Sequence, residues 1–252
     1  MHAHRRVQVS ILGSLRVVRP DGTVVPVEDF RTGKTMDLLR LLALSNGRPV
    51  RPGDLIARLW PDVIPERASS SLRTASWHIR QAVGSNCVAR EVEGLVLVDA
   101  YVDVDDFRGV AREALAAASA GHHPRVLAFA DLATELYRGD FRAHADDSTW
   151  ARSARDELRL LRLDVLNHAA GSALELGQAR TGLRFAQLAV RTDPVSDVAQ
   201  YRLMQAQVAV GEPPQAVRTF AAYRHRLAEE LGVDPSPQLQ ELHLRILRGT
   251  VA

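Results

Sequence analysis

Cysteine is all but missing from this chain, with Cys87 standing alone among 252 residues. One thiol cannot close an intramolecular disulfide or build a multi-cysteine zinc site, so Cys87 is expected to be a small apolar filler. Lysine is as scarce: Lys34 is the single lysine among 32 basic residues, and the rest are arginine. That bias reflects a GC-rich genome more than chemistry. No run approaches the roughly 18 apolar residues of a membrane helix. The opening MHAHRRVQVSILG is too short and interrupted in its apolar part for a secretory signal. A cytoplasmic protein is expected, without membrane contact.

Catalytic constellations are missing too. There is no Gly-x-Ser-x-Gly elbow, and the pairs His2/His4 and His122/His123 lack partners at metal-ligand spacing. Asp105-Asp106 and Asp146-Asp147 fall where helices begin, which favours capping over an acid–base dyad. Arg31-Thr-Gly-Lys-Thr35 imitates the end of a P-loop, but Glu28 stands where that motif needs glycine. Neither enzyme activity, cofactor nor metal is expected. Arg31, Lys34 and Thr35 instead suit a helix N-terminus, where cations and free amides can meet a DNA phosphate.

What is present divides the chain in two. Hydrophobic residues make up 46% and charged residues 25%, a globular composition long enough for two cores. Residues 1–102 hold 14 basic against 10 acidic side chains, and residues 103–252 hold 18 against 20. The basic first half suits a polyanion. It opens with three β segments, Val7–Leu12, Leu15–Val18 and Thr23–Val27, the last two joined by the turn signal Asp21-Gly22. A nearly all-apolar helix follows over Lys34–Ser45, then one from Pro52 to Trp60, and a longer one over Ala68–Val83. The segments CVARE and LVLVDA read as a closing hairpin. Strands, three helices and a hairpin make a winged helix-turn-helix with an N-terminal β-sheet.

From Val104 onward the pattern is helical. Gly177-Gln-Ala and Gly211-Glu-Pro lie 34 residues apart, and Leu183, Ala186 and Ala189 match Val217, Phe220 and Tyr223 at that offset. This is the tetratricopeptide period, in which helix pairs stack on a shared core. In the last repeat Val217, Phe220, Leu227 and Leu231 form one apolar face, and Leu239, Leu242, Ile246 and Leu247 form the next. The expected fold is mainly α with a small β component. Residues 1–102 form the winged domain and 103–252 a tetratricopeptide-like all-helical domain. The first is expected to bind DNA alone, but weakly.

The Ala68–Val83 helix carries the functional signal. At 100° per residue, Leu72, Ser76, Ile79 and Val83 cluster in one narrow sector, the side to be buried. Ser70, Arg73, Thr74, Trp77, Arg80 and Gln81 occupy the opposing arc. Arginine can fork to guanine edges, glutamine to adenine, and threonine can touch a thymine methyl. An exposed Trp beside two arginines, after a preceding helix and tight turn, suits a recognition helix better than a solvated face.

Several phrases closely resemble the SARP family (Streptomyces antibiotic regulatory proteins), activators with a winged domain and a bacterial transcriptional activation domain. They are LGSLRV, LLRLLALSNGRPV, LIARLWPD and SLRTASWHIRQAVG in the first half, with DVDDF, LYRGDF and EELGVDPSPQLQELHLRIL in the second. The chain resembles the small, two-domain form of that family. The family usually carries Arg-x-Arg late in the recognition helix, and this sequence departs from it at the first position, reading His78-Ile79-Arg80; the resemblance implies a DNA-facing place for His78. The resemblance implies an activator that binds direct repeats near a promoter's −35 element, with two protomers side by side. It would recruit RNA polymerase holoenzyme, often for a secondary-metabolite cluster. It also implies major-groove contacts by Arg73, Thr74, Trp77 and Arg80, and a backbone contact by Arg90 on the wing. The turn Pro61, Asp62, Val63, Ile64, Pro65, Glu66 and Arg67 would face polymerase. The alternative is a tetratricopeptide-like adaptor with little DNA binding.

Overall fold

The first strand places alternate valines inward, Val9 being fully buried. A computed structural model describes residues 6–84 and 86–250, and in it β1 (Val7–Ser10) is the centre of a three-stranded sheet. It pairs antiparallel with β2 (Arg16–Val18) and parallel with β5 (Ala100–Val102). The strand expected over Thr23–Val27 does not form. Pro26 has no N–H to give to a ladder, so only a bridge between Val18 and Val24 remains, followed by a 3-10 turn over Val27–Phe30. The Asp21-Gly22 turn is in place, with Gly22 at φ 88°.

Three helices follow: α1 (Gly33–Leu44), α2 (Pro52–Leu59) and α3 (Pro65–Val83). Helix α1 is buried nearly all round, as its leucines require, with Leu38, Leu39 and Leu42 fully enclosed. Helix α3 begins three residues earlier than its apolar pattern suggests, because Pro65 sits at the first helical position with φ already suited to a helix. The wing is a hairpin of β3 (Val88–Arg90) and β4 (Leu95–Leu97). It is anchored by reciprocal bonds between Val50 and Leu95, at 2.8 and 2.9 Å. Gly94, at φ 158°, lies so close to the Val50 carbonyl that any side chain there would collide with it.

The chain continues through α4 (Asp103–Ser119), α5 (His123–Leu136), α6 (Thr149–Glu175), α7 (Ala179–Thr192), α8 (Asp197–Ala209), α9 (Pro213–Leu231) and α10 (Pro237–Leu247). It divides into two compact units. One runs to Arg108 and takes in Glu135–Leu158; the other holds Gly109–Thr134 and the chain from Arg159. Two buried carboxylates explain why the 135–158 segment packs with the winged helix. Asp37, fully buried on α1, accepts backbone N–H bonds from His144 (2.7 Å) and Ala145 (3.0 Å) and a bond from Arg40 (3.0 Å). Asp103 accepts from the N–H groups of Ile11 (2.9 Å) and Leu12 (3.2 Å) and from Arg138 (3.2 Å). A buried carboxylate persists only when its oxygens are satisfied in this way.

In the second unit the 34-residue repeat is visible atom by atom. Gly177 and Gly211 both take left-handed φ, at 69° and 86°. Gly177 and Gln178 donate to Leu174 and Ala173, and Gly211 and Glu212 donate to Val208 and Gln207, the same bonds one period on. Ala186 and Phe220 are both buried, as are Ala189 and Tyr223. Asp197 at the start of α8 ties the last repeat together, accepting the Tyr223 hydroxyl at 2.7 Å and the Ser236 N–H at 3.1 Å. Two residues depart from the expected apolar faces: Leu231 and Leu247 are 58% and 59% exposed. Each lies at the end of its helix, where no further turn covers it.

Candidate nucleic-acid interface

Helix α3 buries one stripe and presents the other side. Leu72, Ser76, Ile79 and Val83 are all buried, and the Ser76 hydroxyl is returned to the Leu72 carbonyl at 2.8 Å. Ser70, Arg73, Thr74, Trp77 and Gln81 are exposed, while His78 and Arg80 are half-buried. Trp77 keeps 56% of its surface in solvent, with its ring tilted against His78 at 5.2 Å between centroids. An indole is seldom left so open on a helix whose opposite side is a core.

Beside this face lies a cleft of about 420 Å³ between α3 and the wing. Arg73 and Arg80 from the helix and Arg90 from β3 enter it, with Ser69 and Ser76 between them and Pro52, Ile56, Leu72 and Leu95 as apolar lining. Among the described residues, none of the three arginines meets a carboxylate. Such a cleft holds a fixed positive field that attracts an anion. Cys87 lies next to it, buried, with its thiol pushed up to about 11 by burial and partly opposed by Arg80. It is inert packing, as its lone occurrence suggested.

The remaining expected contacts divide. Arg31 is exposed, with an unusual left-handed φ of 67°, and Lys34 is half-buried; neither lines the cleft. Thr35 is a correction: it is fully buried, and its hydroxyl faces that of Thr32 at 2.9 Å. Thr32 caps α1, so this helix start is already satisfied and Thr35 has no surface to offer DNA. Pro61, Asp62, Val63 and Ile64 form an exposed turn, and Pro65, Glu66 and Arg67 are the first turn of α3, also exposed. Missed from the sequence were Ser69 and the Val88 carbonyl, which receives the Arg80 Nε–H at 2.9 Å. No residue-level signal announces a backbone acceptor.

The fold and its arginine-lined cleft define a winged-helix protein joined to tetratricopeptide-like helices. A family model, the bacterial transcriptional activator domain, matches residues 102–247. The chain belongs to that family, the SARP-type regulators. It is 30% identical over 259 residues to Regulatory protein DnrI of Streptomyces peucetius, covering 96% of this chain and 93% of DnrI. It is 28% identical over 242 residues to Regulatory protein AfsR of Streptomyces coelicolor, covering 92% of this chain but only 24% of AfsR. The chain therefore spans about a quarter of that relative. Among solved structures, Mycobacterium tuberculosis EmbR in complex with a low affinity phosphopeptide superposes with a TM-score of 0.81 at 23% identity. That match covers 97% of this chain and 65% of EmbR and shows the shared fold. DnrI and AfsR are both named as regulatory proteins. Among the described residues, no helix is long and apolar enough to cross a membrane.

Proposed function

We propose that this protein binds promoter DNA sequence-specifically through α3 and the wing, at direct repeats near the −35 element. Two protomers lie side by side there and recruit RNA polymerase holoenzyme to a secondary-metabolite gene cluster. The observation that carries the reading is the set of three arginines without acidic partners around one cleft, Arg73 and Arg80 on α3 and Arg90 on the wing. A protein adaptor has no need of such a cleft. Residues 1–102 provide the DNA contacts and residues 103–252 the activating surface, and the exposed Pro61–Arg67 segment faces polymerase. DnrI and AfsR, as regulatory proteins, support this reading by kinship.

Mobility shifts on a duplex enriched from a randomised library by the full chain test the DNA contact. Binding should weaken steeply with salt as phosphates are neutralised. Arg73→Ala should cost on the order of 1–3 kcal/mol and relax preference at one base pair. Affinity equal to wild type on cognate and scrambled duplexes would remove Arg73 from the reading. For activation, purified holoenzyme, promoter DNA and this protein should raise transcript yield without any added small molecule. A requirement for a cell-extract metabolite would make the helical half a sensor instead.

A further inference from the structure

Arg73 and Arg80 are chemically equal in sequence, yet the fold treats them differently. Arg73 is exposed and makes no bond to the rest of the protein among the described contacts. Arg80 is half-buried, and its Nε–H is committed to the Val88 carbonyl at 2.9 Å. That carbonyl is free to accept. In the wing ladder Cys87 accepts from the Val98 N–H at 2.9 Å, so the next residue, Val88, turns its carbonyl to the open side of β3. Arg80 fills this edge position. Its two terminal amino groups are left for a ligand, in the cleft that Arg90 enters from the same strand.

Position around the helix agrees. Measured from Leu72, Arg80 lies about 80° and Arg73 about 100° round the axis, while Trp77 and Gln81 lie at about 140° and 180°; the bond to Val88, and not the angle, separates the two arginines. Arg80 is thus on the flank of α3 that turns to the wing, below the crest that would enter a groove. A side chain drawn back to a β-strand and held there is badly placed to reach a base edge. It is well placed to meet the sugar–phosphate rim of the groove.

We infer that Arg80, oriented by the Val88 carbonyl and paired with Arg90, is a phosphate clamp between helix and wing, and that base readout falls to the other exposed residues of α3. The inference rests on the DNA-binding reading above and reassigns one residue within it. The clamp fixes the register of α3 on the duplex and carries no sequence information of its own.

The test uses the full chain and the library-enriched duplex, with a scrambled duplex of equal length. Arg80→Ala should weaken binding about tenfold on both duplexes alike. It should reduce the slope of log affinity against log salt by about 0.9. Single methylphosphonates walked along the wild-type complex should find one position that weakens binding. Arg80→Ala should be insensitive to that position. Arg80→Lys, which keeps the charge but has no Nε–H for Val88, should restore the salt slope and recover affinity only in part. If Arg80→Ala relaxes preference at one base pair and leaves the salt slope unchanged, Arg80 reads a base and the inference is overturned. The same holds if its affinity equals wild type on both duplexes. Should Arg80→Ala disturb the wing, seen as new reactivity of Cys87, the lysine variant and the methylphosphonate scan decide the matter. Failure of wild type to bind any duplex would instead overturn the DNA-binding reading itself.

Discussion

The two compact units handle the same residue, arginine, in different ways. In the second unit Arg184 reaches Asp131 at 2.6 Å, Arg226 meets Glu230 at 3.7 Å and Arg159 donates to the Thr192 carbonyl at 2.6 Å. The first unit pairs Arg108 with Glu157 at 2.8 Å, Arg138 with Asp103 and Arg40 with Asp37. On the α3–wing side, among the described residues, it leaves Arg73, Arg80 and Arg90 gathered without acids. Arginine abundance is a property of the whole chain, so composition cannot produce that local imbalance. Placement does. Surface pairs contribute little stability, whereas unpaired cations along one groove create a field for a polyanion.

The sharpest way to break this comparison is through the first unit's buried carboxylate. Asp37→Ala leaves the Arg40 guanidinium buried without its partner and strands the N–H groups of His144 and Ala145. Removing one member of a buried pair costs about 3–5 kcal/mol, and urea denaturation of the full chain should show a loss of that size. DNA affinity should fall with it where the winged unit is partly unfolded. A fragment ending at Val102 should show a similar defect, since it lacks Asp103, His144 and Ala145 at once. If Asp37→Ala unfolds at the wild-type midpoint, the 135–158 segment does not support the winged unit.

That prediction also marks where the sequence was legible. The two sides of α3 could be read residue by residue, because amphipathic periodicity is local and Leu72, Ser76, Ile79 and Val83 fall on one stripe. The 34-residue repeat was legible for the same reason, since each period ends in its own glycine turn. Asp37 was not, because its backbone partners His144 and Ala145 lie more than a hundred residues away. Thr35 looked like a free helix-start residue until Thr32 proved to be the cap. Strand β5 is three residues long and pairs in parallel with β1 from the far end of the winged half, so no adjacent turn betrays it. The wing carbonyl that holds Arg80 belongs to Val88, whose side chain says nothing of it.

A smaller effect is expected on the other side of the comparison. Tyr223→Phe removes the hydroxyl that donates to Asp197 and lies 3.0 Å from the Val195 carbonyl. Burial, then the bond to Asp197, pushes this phenol well above its ordinary range, so it remains a donor at neutral pH. Its loss should cost about 1 kcal/mol, visible in thermal unfolding. DNA affinity should not change, because the residue lies in the helical repeats. A variant that loses DNA binding without losing stability would show that the repeats take part in the DNA contact.

The smallest effect concerns Cys87, which reports on the winged unit alone. Burial raises its thiol from 9.0 to about 11. An unfolded chain would therefore release this proton at lower pH than the folded one. The thiol's contribution to stability is complete below the unfolded value and is lost as pH rises through the folded one. The difference at pH 9 is about 0.4 kcal/mol, growing toward pH 11. Cys87→Ser, whose hydroxyl does not titrate there, should lose less stability between pH 8 and pH 9 than wild type. At pH 8 the native thiol should resist iodoacetamide and become reactive only at the denaturant midpoint of the winged unit. Rapid alkylation of the native protein would mean that the wing opens beside Arg80, and the three-arginine cleft would then be one of several arrangements rather than a fixed site.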